Sequence, residues 1–233
     1  MSYEEIPDVR INPHYAAQTV MQPDHPMLQR LAPCKAVPGY TSMSTLTQLY
    51  ESARTAEPDG LNVEIGCLFG KSTAAIAFGV QDSGTKPQTV HVIDPFRSWP
   101  GEDALSIFQS QFGSTPEELS SVFRGHMDDV GVRAMIRLTI GTAKDVKLPK
   151  GKKVRFAFID GDHRPEAVRQ DVELLLPLMA PGSIMAFDDY GNNRDKWGVQ
   201  EVVDELVRPA ARQQLFKDNR AQCCVFFEMR GGK

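Results

Sequence analysis

Val154-Arg155-Phe156-Ala157-Phe158-Ile159-Asp160-Gly161-Asp162-His163 decides the reading of this chain. Its first six residues form an apolar, aromatic and β-branched run, the pattern of a buried strand. The run breaks into two carboxylates and an imidazole. In an open parallel α/β sheet, ligands bind just outside the carboxyl ends of the strands. A strand ending in Asp-Gly-Asp-His therefore delivers chemistry to a site. A second strand of this kind, Ser183 to Phe187, ends in Asp188-Asp189-Tyr190. If the two are adjacent, four carboxylates gather at one sheet edge.

Working outward, strands alternate with helices. A helix capped by Ser42 or Ser44 is expected to reach Thr55. Strand Leu61–Gly66 follows, with Gly66-Cys67-Leu68-Phe69-Gly70-Lys71-Ser72-Thr73 opening a helix that runs to about Val80, then strand Val90–Asp94. Helices are expected over Ala104–Phe112 and Pro116–Val122, the latter capped by Thr115. Strand Arg137–Gly141 precedes the quoted stretch. A helix from Pro165 to Met179, closed by Pro181-Gly182, leads to strand Ile184–Phe187. Gly198–Val207 reads as an amphipathic helix, and Leu215-Phe216 and Cys223–Met229 as a closing antiparallel pair. This alternation predicts an α/β fold with a doubly wound, mostly parallel sheet.

Two segments stand apart. Residues 1–40 hold prolines 7, 13, 23, 26, 33 and 38, a spacing that forbids long helices. They read as an arm or lid, with one short helix near His14 to Met21, over a main domain spanning 41–233. Met21, Met27, Leu28 and Leu31 give this arm something to bury, which a disordered tail would lack. Residues 95–135 are long for a plain connection and are expected to supply a cap or substrate loop.

The bulk numbers bound the function. The 233 residues carry a net charge of −4 and 41% hydrophobic residues, which argues for a globular core and against a nucleic-acid partner. Cys34, Cys67, Cys223 and Cys224 show no metal or disulfide spacing, so a reduced, cytoplasmic setting is expected. The polar, acidic start and the short apolar runs argue against a signal peptide and against any membrane association.

The glycine loop narrows the ligand. Gly66-Cys67-Leu68-Phe69-Gly70-Lys71-Ser72 has three residues between its glycines, where a phosphate-binding loop needs four. It also lacks the second glycine of the dinucleotide pattern. What stands is Glu64-x-Gly66-x-x-x-Gly70, and an acid before the turn repels phosphate and suits a cation. Asp94, ending the next strand, suits a ribose. A cationic nucleoside without a pyrophosphate is S-adenosylmethionine. The alternative is an ordinary glycine turn beside a surface aspartate.

At this point the chain resembles a class I S-adenosylmethionine-dependent methyltransferase, and within that class the small-molecule O-methyltransferases of the macrocin type. The resemblance runs from about Pro38 to Arg230. It rests on Gly39-Tyr40-Thr41-Ser42, Val63-Glu64-Ile65-Gly66 through Gly70-Lys71-Ser72-Thr73, His91-Val92-Ile93-Asp94, Phe158 to His163 and Phe187 to Tyr190. It implies a seven-stranded sheet with an antiparallel last strand. It also implies Glu64, Gly66 and Ser72 at the methionine end of the cofactor, Asp94 on the ribose, and Gly141-Thr142-Ala143 by the adenine, with Asp160 adjoining. In metal-dependent members the ligands map to Asp160, Asp188 and Asp189, an oxygen set suited to Mg²⁺, Ca²⁺ or Mn²⁺. His163 stands where relatives carry lysine and is the candidate general base; it otherwise simply starts a helix. Asp162 either orients His163 or caps that helix.

The expected reaction is methyl transfer to a hydroxyl of a small molecule, a sugar-bearing natural product or a compound with vicinal oxygens. Phe69, Phe96, Trp99, Tyr190 and Trp197 are candidates for the substrate wall. Two other readings stand beside it: a metal-independent methyltransferase of the same fold, and a non-catalytic or hydroxylase-associated cofactor-binding protein. A homo-oligomer built through the N-terminal arm is also expected.

Overall fold

The computed structural model describes residues 25–57, 59–84, 86, 88–97, 111–192, 197–217 and 224–231. Seven strands form one sheet: β1 Leu61–Ile65, β2 Val90–Asp94, β3 Ile136–Ile140, β4 Val154–Ile159, β5 Met179–Phe187, β6 Ala211–Lys217 and β7 Val225–Met229. Their spatial order is β3-β2-β1-β4-β5-β7-β6. Pairings among the first five are parallel, and β7 runs antiparallel to both β5 and β6. The strand order reverses between β1 and β4, the switch point at which such sheets hold ligands.

Helices α1 Pro26–Leu31, α2 Met43–Thr55, α3 Lys71–Ser83 and α4 Pro116–Asp129 feed one core, which includes Leu46, Leu49, Phe123, Phe156 and Phe158. Helices α5 Pro165–Leu175 and α6 Val199–Val202 cover the opposite face, over Val63, Ala157, Met185 and Phe187. Both faces of the central strands are therefore buried, and their sequences are mostly apolar, with Asn62, Glu64 and Arg155 as buried exceptions. Among the described residues no helix is long and apolar enough to cross a membrane.

Several boundaries differ from the sequence reading. Helix α3 reaches Ser83, and α4 reaches Asp129 because Phe123 and Met127 continue its buried stripe. Thr115 caps α4 in a full capping box with Glu118. The helix expected to reach Met179 ends at Leu175, passes through a 3-10 turn Leu176–Leu178, and gives way to β5 at Met179. Pro181-Gly182 does not close a helix; it lies in a bulge of β5. The pairing jumps from Val154↔Met179 to Phe156↔Ile184, proline has no N–H for the ladder, and Gly182 adopts φ 77°. Helix α6 passes directly into a π turn, Val203–Val207.

The N-terminal segment docks through Met27, Leu31, Cys34 and Val37, all buried. Pro26 occupies the first turn of α1, where its missing N–H costs nothing. The helix expected near 14–21, and most of Ala104–Phe112, lie outside the described residues.

Arg155 is the residue whose role the sequence hid. It is the unpaired residue of a bulge in β4 against both β1 and β5. The bulge turns its side chain under the end of α2, fully buried. The guanidinium donates to the carbonyls of Ala53 (2.7 Å) and Ala56 and to Asn62 Oδ1 (3.0 Å). It thereby satisfies carbonyls that a helix end leaves without partners. Arg155→Met keeps the volume and strands those acceptors. The expected loss is about 3 kcal/mol, a fall in Tm of roughly 6–12 °C for a chain of this size. A thermal melt unchanged within a degree would refute this role.

Candidate functional site

The site begins with a backbone contact. Beyond β1 the chain turns at Gly66, φ 83°. A Cβ on Gly66 would stand 2.0 Å from the Asp160 carbonyl oxygen, so only glycine fits. Gly66 N–H donates to the Ile93 carbonyl (2.9 Å) and Asp160 N–H donates to the Ile65 carbonyl (2.8 Å). These two bonds lock the ends of β1, β2 and β4 side by side.

The Gly66–Gly70 loop hangs from Asp94. Its carboxylate accepts Cys67 N–H (2.8 Å), Leu68 N–H (3.0 Å) and Phe96 N–H (2.6 Å). Leu68 sits in the left-handed region at φ 48° and Gly70 at φ 96°, a loop curled tightly on one acid. Burial pushes the Asp94 acid up, and those three N–H bonds oppose the shift. Asp94 thus stands at the expected strand end, and its carboxylate also organises the loop, a role the sequence did not reveal. Lys71, a phosphate holder in a true P-loop, instead donates to the Gly39 carbonyl (3.2 Å).

Glu64 is fully buried. Thr73 Oγ1 donates to its Oε2 at 2.5 Å, and Ser72 adds a second hydroxyl bond. Its other oxygen, Oε1, is buried and has no partner among the described residues. Burial pushes the acid up to about 7. A buried acceptor left open beside a glycine turn fits a ligand that brings an N–H donor or a positive charge. The residues present therefore fit a cationic amino group such as that of S-adenosylmethionine.

At the end of β3, Gly141 N–H donates to the Asp94 carbonyl (3.0 Å). Thr142 gives both its N–H (2.8 Å) and its hydroxyl (2.9 Å) to Asp145, and Ala143 is buried. This turn thus lies next to Asp94, with its own polar groups already paired.

The ends of β4 and β5 bring three groups together. His163 Nε2 lies 3.2 Å from Asp189 Oδ2 and 3.6 Å from Asp160 Oδ1. One ligand atom from each of Asp160, His163 and Asp189 falls within 4.8 Å of the others. The Asp189 backbone is left-handed, φ 55°, and Asn192 Nδ2 holds its Oδ1 at 2.9 Å. The imidazole stacks on Trp197 with centroids 4.2 Å apart, and Gly198 N–H donates to the His163 carbonyl (2.9 Å). Burial raises the Asp160 acid to about 6.

Asp188, the third acid of the expected ligand trio, lies outside this grouping of Asp160, His163 and Asp189. It is buried, with Oδ1 against Cys224 Sγ (2.7 Å) and Asp189 N–H (3.0 Å). Burial first, then the charges of Asp160 and Asp189, push its acid well up. Asp162 is held by the Arg164 side chain and backbone N–H, at the start of α5.

Of the candidate wall aromatics, Trp197 lies beside the cluster. Phe69 and Phe96 are fully buried in the core. Tyr190 is buried and its hydroxyl bonds Asp204 (2.7 Å) and Arg208 (2.7 Å). Trp99 lies outside the described residues.

Comparison with known proteins agrees with this geometry. The family model described as "Methyltransferase domain" matches residues 63–190, just over half of the 233 residues. No curated protein matches the chain. Similar solved structures include the cofactor-bound Rv0187 from MTB, 18% identical, covering 90% of this chain and 92% of that one at a TM-score of 0.60. The O-methyltransferase NovP is 19% identical, with coverage of 91% and 90% and a TM-score of 0.59. The O-methyltransferase TomG from Streptomyces achromogenes, involved in tomaymycin synthesis and solved with SAM, is 15% identical, with coverage of 91% and 92% and a TM-score of 0.57. At these identities the likeness is one of fold.

The buried Glu64 makes a pH-dependent prediction. Its acid rises from 4.5 to about 7 on folding. Between those values the folded chain holds a proton that the unfolded chain has released, so stability falls as pH rises across that window. Glu64→Gln removes this loss. The variant should gain on the wild type by about 3 kcal/mol from pH 4.5 to above pH 7, read as a widening difference in Tm. A difference constant across pH would rule out a neutral buried Glu64.

Proposed function

The chain belongs to the methyltransferase domain family, and we propose that it transfers a methyl group from S-adenosylmethionine to a hydroxyl oxygen of a small molecule. The observation that carries this reading is the contact of Gly66 with Asp160. It brings the open acceptor of Glu64 and the Asp160–His163–Asp189 cluster to the same end of adjacent strands. The likeness to O-methyltransferase structures, one of them solved with SAM, supports it.

When bound, S-adenosylmethionine supplies a methyl carbon already activated on a sulfonium sulfur. The chain's residues then have three tasks. Glu64 Oε1 accepts from the cationic amino end, and the turn at Gly66 lets the backbone approach closely. Asp94 holds the loop in shape and offers the remaining lone pair of Oδ1 to a ribose hydroxyl. His163 Nε2 takes the acceptor's proton as its oxygen becomes nucleophilic, and Asp160 and Asp189 stabilise the imidazolium so formed. Stacking on Trp197 fixes the ring plane.

Two carboxylates facing one imidazole nitrogen favour a positive charge between them. In the general-base reading that charge arises when Nε2 takes the acceptor's proton. A divalent ion held by Asp160, His163 and Asp189 supplies it in the second reading, which the grouping of the three ligand atoms favours. Such an ion would lower the pKa of a bound hydroxyl and orient the acceptor. The imidazole has one lone pair at Nε2, so it serves as ligand or as base at a given moment and not as both. Mixed nitrogen and oxygen donors suit Mn²⁺ better than Mg²⁺. The acceptor of the proposed reaction is a sugar hydroxyl or one of two vicinal oxygens, as in the macrocin-type enzymes the sequence resembles.

Two experiments separate these readings. His163→Ala should lower kcat by about 10²–10⁴-fold and remove the acidic limb of the pH profile; normal turnover would take His163 out of the reaction. Calorimetry with Mn²⁺ should show binding that releases protons and weakens as pH falls through about 6, where Asp160 takes up a proton. No Mn²⁺ binding, together with full activity in EDTA, would leave the proton as the cation between the carboxylates.

A further inference from the structure

The opposite end of the sheet carries a site of opposite charge. The connection from β3 to β4, residues 141–153, contains no helix, although a doubly wound sheet usually covers its strands with one. Where that helix would lie there is a groove of about 580 Å³, a size typical of small-molecule sites. Its floor includes Leu61 and His91, at the start of β1 and β2, and its walls come from β3, α4 and residues 146–152. Five cations line it: Arg124, Arg133, Arg137, Lys147 and Lys152.

Among the described residues no carboxylate lines this groove, though the chain carries 30 acidic residues against 26 basic ones. Among the described residues none of the five cations forms an ion pair. Arg124 bonds only the Ser120 hydroxyl, and Arg137 only the carbonyls of Ala134 and Ile136. Lysines on an edge strand can simply block sheet-to-sheet pairing, and β3 is an edge strand. That role needs one or two charges along the edge. It does not account for five gathered from four segments around one concavity, where a single anion can meet several of them at once. His91 on the floor has its imidazole acid pushed down, first by burial and then by the Arg137 charge, so the positive field reaches into the sheet.

We propose that this groove binds a diphosphate anion, free or carried on a nucleotide. Guanidinium forks match phosphate oxygens in pairs, and five cations suit a multiply charged ligand better than a single carboxylate. The groove lies at the amino ends of strands whose carboxyl ends carry the methyl-transfer site. Along β3 the groove reaches Thr139 beside Ile93, while five residues of strand separate Leu61 from Gly66, about 16 Å, which holds a ligand at the Leu61 end away from Glu64. Bound there, it ties residues 146–152 to β3 and stabilises the fold. This inference does not depend on the methyl-transfer reading.

Calorimetry and thermal melts of the full chain with pyrophosphate and with ADP, at physiological ionic strength, test it. Sub-millimolar binding that raises Tm is expected for at least one of the two, and which of them binds tells a free diphosphate from a nucleotide. Arg133→Glu/Arg137→Glu should weaken that binding by about tenfold or more. Lys147→Glu/Lys152→Glu, on the exposed connection, should weaken it likewise and guards against a fold defect in the first variant. Absence of binding by both anions, or binding unchanged in both charge-reversed variants, would overturn the proposal. So would tighter binding of a poly-glutamate peptide than of pyrophosphate, which would assign the groove to an acidic protein segment.

Discussion

Everything at the site depends on the distance between two pieces of backbone. Gly66 and the Asp160 carbonyl approach so closely that a single methyl group could not stand between them. That contact joins the first strand's ligand-binding turn to the fourth strand's acid. It makes one site out of residues nearly a hundred positions apart. Glycine is required there twice over, by φ 83° and by the space. Asp94 completes the arrangement from the other side, since three backbone N–H groups converge on its carboxylate.

The acids around this turn are differentiated by what surrounds them. Asp188 and Asp189 are neighbours in sequence, yet they have different fates. The left-handed backbone at Asp189 swings its carboxylate toward His163, while Asp188 is enclosed with Cys224. Burial, then the charges of Asp160 and Asp189, push the Asp188 acid well up. Beside it, Asp160 and Asp189 face one imidazole, an arrangement that favours positive charge at Nε2.

Most of the fold was legible because the central strands are buried on both faces. Apolar, aromatic and β-branched stretches such as Phe156–Ile159 between turn residues read as buried strands. Glu64, Gly66, Asp94, Asp160, His163 and Asp189, brought forward from the motifs and the family resemblance, all stand at or just past the carboxyl ends of β1, β2, β4 and β5. The failures have physical causes. Pro181-Gly182 read as a helix stop because a bulge that accommodates proline inside a strand depends on the neighbouring strand. Arg155 read as one charge in an apolar run because the bulge that redirects it, and the carbonyls of α2 that receive it, lie far away in sequence. Asp188 and Asp189 were indistinguishable because residue type carries no φ angle.

Charge is segregated along the strands, and the small net charge of −4 conceals it. Glu64, Asp94, Asp160, Asp188 and Asp189 all stand at or just past carboxyl ends. Arg124, Arg133, Arg137, Lys147 and Lys152 ring the amino-end groove. A sheet cannot produce this alone, because strand dipoles are weak; side chains produce it. The acidic end has little direct electrostatic attraction for an anion and favours a cation. The basic end does the reverse. With the two separated by more than one Debye length at physiological salt, each keeps its own field, so a single domain can offer opposite potentials to two classes of small ligand.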